Sequence, residues 1–290
     1  MMFDAIPSLY RVPFDGRFAR AELPTRPPIV SDKNALKKAL AQHVDRLSVL
    51  QRMLYAHDRY AVLLIFQAMD AAGKDGTIRA VMSGVDPAGC RVYSFKQPSA
   101  EELDHDFLWR TTRCLPERGH IGVFNRSYYE EVLAVRVHPE YLEAQKLPDE
   151  IDRDAIWPQR LASIRDLEQH LARNGTVILK FWLNVSKEEQ RERFLSRLDE
   201  PEKQWKFSMA DVGERGSWGA YMNAYEEALA ATSRPWAPWY AIPADNKHYM
   251  RLAVAELVVE SLKSLKLEYP AVGAVERARF TEMRRILEAE

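Results

Sequence analysis

At 290 residues, 47% hydrophobic and 29% charged, the chain has the composition of an ordinary globular protein with room for one sizeable core. Its formal net charge of −1 excludes a general attraction to polyanions, so neither nucleic acid nor a membrane is expected as partner and any anion site must be a local basic patch. Two cysteines, Cys90 and Cys114, are too few for a disulfide framework or a cysteine-based zinc site, and a reducing cytoplasm is the simplest compartment.

The opening MMFDAIPSLYRVPFDG has no basic region followed by an apolar run, so no secretory signal is expected. Residues 1–31 carry Pro7, Pro13, Pro24, Pro27 and Pro28, which disfavour helix and predict an extended arm suited to subunit contacts, hence a homo-oligomer. From Asp32 or Asn34 to about His57, leucines at three- and four-residue steps predict a long packing helix. Ala61–Gln67, AVLLIFQ, is almost wholly apolar and suits a parallel strand covered on both faces. Asp70-Ala-Ala-Gly-Lys-Asp-Gly76 then turns sharply, with a helix expected near Thr77.

A second strand is expected at Cys90–Phe95 and a helix over 100–114, opened by Ser99 with Glu102 three residues on. The third strand, His120–Phe124, runs into Asn125-Arg-Ser-Tyr-Tyr-Glu-Glu131. A helix over about 153–173, a fourth strand at Thr176–Val185 and a helix capped by Ser186 follow. Residues 199–219, charged, aromatic and broken by Pro201, Gly213 and Gly216, read as a mobile lid. A helix from about Ala220 to Thr232, a short fifth strand at Trp239–Ile242, a helix over 247–266 and a polar helical tail from Val275 complete the chain. Alternating strands and helices predict a parallel sheet covered on both faces. The expected organisation is an arm over 1–31, one domain over 32–270 with the lid inserted, and a tail over 271–290.

Strand, small-residue loop and helix form a phosphate-binding unit, because first-turn N–H groups and the helix dipole favour an anion. Ala72, Gly73, Asp75, Gly76 and Thr77 line this loop and Lys74 adds a full charge. The fit to G-x-x-x-x-G-K-[ST] is incomplete: Ala68 replaces the first glycine and Asp75 the hydroxyl that usually binds magnesium. Asp70 and Asp75 are the hard oxygen ligands nearby, so Mg2+, with Mn2+ as a substitute, is the expected cofactor. Phosphoryl transfer needs aligned phosphates and cations. Lys74 and Arg126 are the leading candidates, with Asp70 beside them, and Lys96, Arg136, Arg193, Arg197, Lys203, Lys206 and Arg215 supply further positive charge. Solvated ion pairing, such as Glu189 with Arg193, explains the lid-helix cations equally well. Neither His105 between two acids nor any paired motif makes a zinc site, and Trp205, Trp218, Trp236 and Trp239 suit packing more than base stacking.

Four blocks, MDAAGKDGTI, SFKQPSAEELDHDFLWR, IGVFNRSYYEEVLAVRVHP and APWYAIPADNKHYMR, resemble the polyphosphate kinase 2 family from about residue 30 to 265. The resemblance implies a three-layer α/β/α P-loop kinase fold with a parallel five-stranded sheet and a helical lid. It implies transfer of the terminal phosphoryl of inorganic polyphosphate to ADP or AMP, reversibly and with Mg2+, ATP being the product from ADP. Asp70, Gly73, Lys74, Asp75 and Gly76 then match the Walker A segment, and Asn125, Arg126 and Ser127 a Walker B-like one. Many members carry Asp where this chain has Asn125, which leaves Asp70 as the metal residue. The Asn-Arg-Ser-Tyr-Tyr-Glu-Glu form is similar to class III, whose members phosphorylate both AMP and ADP, with Asn125, Ser127, Tyr128, Glu130 and Arg136 toward the nucleotide. Two other readings fit the loop: an ATP-dependent nucleotide kinase of thymidylate-kinase type, and a non-catalytic nucleotide-binding regulator.

Overall fold

In a computed structural model of the chain, residues 3–20, 23–28, 32–153 and 155–290 are described; parts of the expected arm (1–2, 21–22, 29–31) and position 154 of the expected 153–173 helix lie outside them. The elements are α1 (Lys33–His57), β1 (Ala61–Gln67), α2 (Lys74–Val81), β2 (Cys90–Ser94), α3 (Ala100–Leu103), α4 (Trp109–Thr112), β3 (Ile121–Asn125), α5 (Ala134–Val137), α6 (Glu140–Glu143) and α7 (Ile156–Arg173). They continue with β4 (Thr176–Asn184), α8 (Lys187–Asp199), α9 (Pro201–Gln204), α10 (Met209–Glu214), α11 (Trp218–Thr232), β5 (Trp239–Pro243), α12 (Lys247–Ser264) and α13 (Ala274–Leu287).

Five parallel strands form one sheet in the order β2-β3-β1-β4-β5. β1 is central and buried throughout, as its apolar run requires, whereas edge strand β2 is largely exposed. α1 packs on α12 and α12 on α2, while α7 packs on β4 and α11, so helices cover both faces. This is the three-layer α/β/α P-loop kinase fold expected from the sequence. The chain leaves β1 for the edge strand β2, steps back to β3 beside β1 and then crosses to β4 on the other side, opening a crevice at the carboxyl ends of β1 and β3.

Two local readings change. The expected helix over 100–114 is two short turns, α3 and α4. The Ser99–Glu102 capping box opens the first, and the Asp106 carboxylate accepts from the Leu108 N–H at 2.9 Å, restarting the chain between them. The helix expected near Thr77 begins at Lys74, because Gly73 at φ +109° ends the loop and serves as its N-cap. Within the amino-terminal arm, Arg11 bridges antiparallel to Tyr240 and the Val12 N–H donates to the Trp239 carbonyl at 2.9 Å. Tyr10 and Val12 are buried there, covering an otherwise open sheet edge of their own chain.

Candidate active site

The loop after β1 ends with the first turn of α2, whose N–H groups have no capping side chain and stand open to an anion. Ala71 adopts φ +60° and Gly73 φ +109°, which turns the chain tightly enough to aim that helix at the crevice. A Cβ at Gly73 would come within 3.1 Å of the Met250 methyl, so glycine is required on two counts. The Lys74 ammonium folds back over the loop to the Ala68 carbonyl at 2.6 Å. Burial, with Arg126 nearby, lowers its pKa while Asp70, Glu130 and Asp75 oppose the shift.

Arg126, just beyond β3, is held at φ +63°, a conformation costly for a non-glycine residue. Its N–H continues the ladder to the Phe66 carbonyl at 3.0 Å, and its guanidinium donates to the Asp70 carboxylate at 2.8 Å. Burial alone would raise the Asp70 carboxyl, but Lys74 and Arg126 hold it below the usual carboxylate range. Glu130, which accepts from Gln67 at 3.0 Å, is the largest influence keeping Arg126 protonated. Asp75 accepts from the Asn125 amide at 2.6 Å.

Beside this cluster lies a cavity of about 350 Å3, a size suited to a small ligand. Asp70, Arg126, Ser127 and Glu130 stand at the loop side; Phe95, Pro98, Leu103, Phe107, Leu133 and Tyr141 give it apolar walls; Asp211 and Glu214 of α10 close over it. Lys96 lines it too, while the Lys96 carbonyl accepts from Arg110 at 2.7 Å.

Several sequence candidates have other roles here. Arg193 is buried, and its guanidinium donates to Glu189 and to the carbonyls of Ala71, Ala72, Ala244 and Asp245, so it clamps the loop from behind rather than facing a phosphate. The Thr77 hydroxyl donates to the Gly73 carbonyl at 3.0 Å and the Ala72 N–H to the Met69 carbonyl at 3.2 Å, so both donors are engaged within the loop itself. Tyr128 lines the cavity with its ring, but its hydroxyl is buried on Glu168. Arg136 pairs with Glu227 at 2.6 Å, outside the cavity lining, and Lys206 lies exposed against the Trp205 ring. Trp239 is core, and none of Trp205, Trp218, Trp236 and Trp239 lines the cavity.

Sequence reasoning passed over Gln67, Gln190, His138, Asp211 and Glu214. Gln190 donates to the Asp70 carbonyl at 2.9 Å and accepts from Arg215 at 2.6 Å, tying the loop to the chain between α10 and α11. Its one sequence signal was a polar residue at a buried position of a helix, visible only once the helix face is known.

A family model described as polyphosphate kinase 2 (PPK2) matches residues 30–270. The ADP-polyphosphate phosphotransferase of Rhodopseudomonas palustris is 58% identical over 261 residues, 90% of each chain. The AMP/ADP-polyphosphate phosphotransferase of Meiothermus ruber is 45% identical over 263 residues, 90% of this chain and 94% of the relative. The crystal structure of polyphosphate kinase 2 from Arthrobacter aurescens TC1 superposes with a TM-score of 0.86 at 39% identity, covering 97% of this chain and 98% of that one.

Proposed function

The chain belongs to the polyphosphate kinase 2 family, and on that premise we propose how its site performs phosphoryl transfer between polyphosphate and a nucleotide. The observation that carries the proposal is an uncapped helix N-terminus with Lys74 at its head, adjoining a cavity through the Asp70–Arg126 pair. The polyphosphate end lies on the first-turn N–H groups of α2, with Lys74 swinging from the Ala68 carbonyl to a phosphate oxygen. The nucleotide lies in the cavity, base among its apolar walls and phosphate toward Arg126. Arg126 neutralises charge on the transferring group, and Asp70 holds Arg126 in place until then. A nucleotide phosphate oxygen is already ionised, so the chain needs no general base.

Mg2+ fits this site. Asp70 stands on the loop and Asp75 in the first turn of α2, and among the described residues no cluster of three ligating side chains exists. That suits an ion bound by one or two carboxylates plus waters and substrate phosphates. When bound, it neutralises phosphate charge; Asp70 and Asp75 are the residues that would hold it, with Mn2+ as substitute.

Both ADP and AMP are proposed acceptors, from the Asn125–Glu131 segment resembling class III and from the two relatives, one named for ADP and one for both. The segment over 199–219 acts as the lid. A homo-oligomer is proposed because α13 leaves Val275, Phe280, Met283 and Leu287 exposed. Among the described residues no helix is long and apolar enough to cross a membrane, and the free thiols Cys90 and Cys114 fit a cytoplasmic protein. The test is ATP formation from ADP, and separately ADP formation from AMP, with polyphosphate and Mg2+ as the only other reagents. Turnover with ATP and a nucleoside monophosphate alone would instead favour the thymidylate-kinase type, and tight nucleotide binding without turnover a regulator.

A further inference from the structure

One wall of the cavity carries an ionisable group that the phosphoryl transfer does not use. His138 closes α5 and lines the cavity. Its Nε2 lies 3.0 Å from the Glu214 carboxylate and its Nδ1 3.2 Å from that of Glu140. Glu214 is the last residue of α10 and lines the same cavity. A carboxylate on each ring nitrogen is matched by the imidazolium, in which both nitrogens donate. The ring also lies against Tyr141 and Tyr221, with centroids 5.3 and 6.2 Å away. Elsewhere on α10, Asp211 is tied to Arg197 at 3.4 Å. The helix that covers the cavity is thus pinned by two ion pairs and by the Tyr221 hydroxyl on Glu214, and of these contacts the one at His138 titrates near neutrality.

We propose that His138 is a positioning residue for the nucleotide: as imidazolium it latches α10 over the cavity through Glu214, and as the neutral ring it lets that helix go. The titratable groups facing the ring are Glu140 and Tyr141 of α6, Glu214 of α10 and Tyr221 of α11. Burial alone would lower the imidazole, but hydrogen bonding and charge from Glu214 and Glu140 hold it above its ordinary value. A group whose pKa is raised by the latch supports it at low pH and loses it as pH rises through that raised value. Nucleotide affinity therefore falls with rising pH.

The inference rests on the nucleotide occupying the cavity. It is tested by calorimetric titration of ADP into the full chain, without polyphosphate, from about pH 6 to about pH 8.5, for wild type, His138→Gln and Glu214→Gln. Wild type should lose roughly three- to tenfold more affinity across that range than either variant, the size of one partly exposed charge-assisted hydrogen bond. The comparison cancels titration of ADP itself, and thermal melts establish that each variant is folded; should one fail to fold, the other carries the same comparison. Parallel profiles in wild type and a folded variant overturn the latch. ADP binding with the expected profile but no polyphosphate-dependent turnover would sink the transfer reading and leave the latch standing.

Discussion

The Asn125 amide donates to the Asp75 carboxylate at 2.6 Å, joining the end of β3 to the first turn of α2 across the crevice. Asn125→Asp would replace that donor with a second carboxylate. Without metal, the variant should lose about 1 kcal/mol or more, the worth of the hydrogen bond plus repulsion. With Mg2+ present the two carboxylates have a cation to share, so Mg2+ should raise the melting temperature of the variant more than that of wild type. Equal shifts by differential scanning calorimetry would argue that Asp75 does not see the metal.

Among the described residues, Lys74 hydrogen-bonds backbone carbonyls, those of Ala68 and Met69. Lys74→Ala should therefore cost the fold little, about 1 kcal/mol. Its effect on turnover with polyphosphate should be about a hundredfold or more, because a preorganised charge on the transferring phosphate is removed. Near-normal turnover in a folded variant would refute the assignment.

Much of this site was readable from residue order. The apolar run of β1 leads into the Gly73-Lys74 pair and that of β3 into the Asn125–Glu131 polar stretch, and strand ends converge at one edge of a parallel sheet. Less readable was which cation faces in. Arg193 and Arg197 differ by one helical turn, yet Arg193 is buried against the loop carbonyls and Arg197 is partly exposed beside Asp211. Helix periodicity gives the spacing of such residues, and only packing against the loop gives the face. Likewise Lys180 stands in the middle of an apolar strand, and its partner Glu168 lies on α7, a contact that sequence spacing does not announce.

Gly73→Ala should impair both folding and activity. The backbone at φ +109° is strained for any residue with a Cβ, and that Cβ would press on the Met250 methyl at 3.1 Å. About 1–3 kcal/mol of stability should be lost. Because Gly73 ends the loop that presents the α2 N–H groups, turnover should fall with it. Urea unfolding alongside steady-state kinetics separates the two effects: a variant that keeps wild-type stability and rate would mean that the loop relaxes freely.

Behind the site, Lys180 is fully buried and donates to the Glu168 carboxylate at 2.5 Å, to the Tyr129 hydroxyl at 2.9 Å and to the Thr232 carbonyl at 2.9 Å. Tyr128 and Tyr129 donate in turn to Glu168 at 3.0 and 2.9 Å. These tyrosines begin the turn that follows Arg126, so the network fixes the chain carrying that guanidinium. Burial pushes the Lys180 amine down to about 8 against the pull of Glu168, and burial likewise raises Glu168. Lys180→Met would leave a buried carboxylate without its cation and should cost about 3–5 kcal/mol. The stranded Glu168 would bind a proton more tightly folded than unfolded. Its stability contribution is then present at low pH and lost as pH rises through the raised folded value. Lys180→Met should accordingly be more stable in acid than above neutrality. Lys180→Met with Glu168→Gln removes the stranded charge, keeps an acceptor for the tyrosines, and should recover part of the loss with a flat pH profile. Denaturant unfolding at several pH values checks both, and a double variant no more stable than Lys180→Met would show that packing, not charge, sets the penalty.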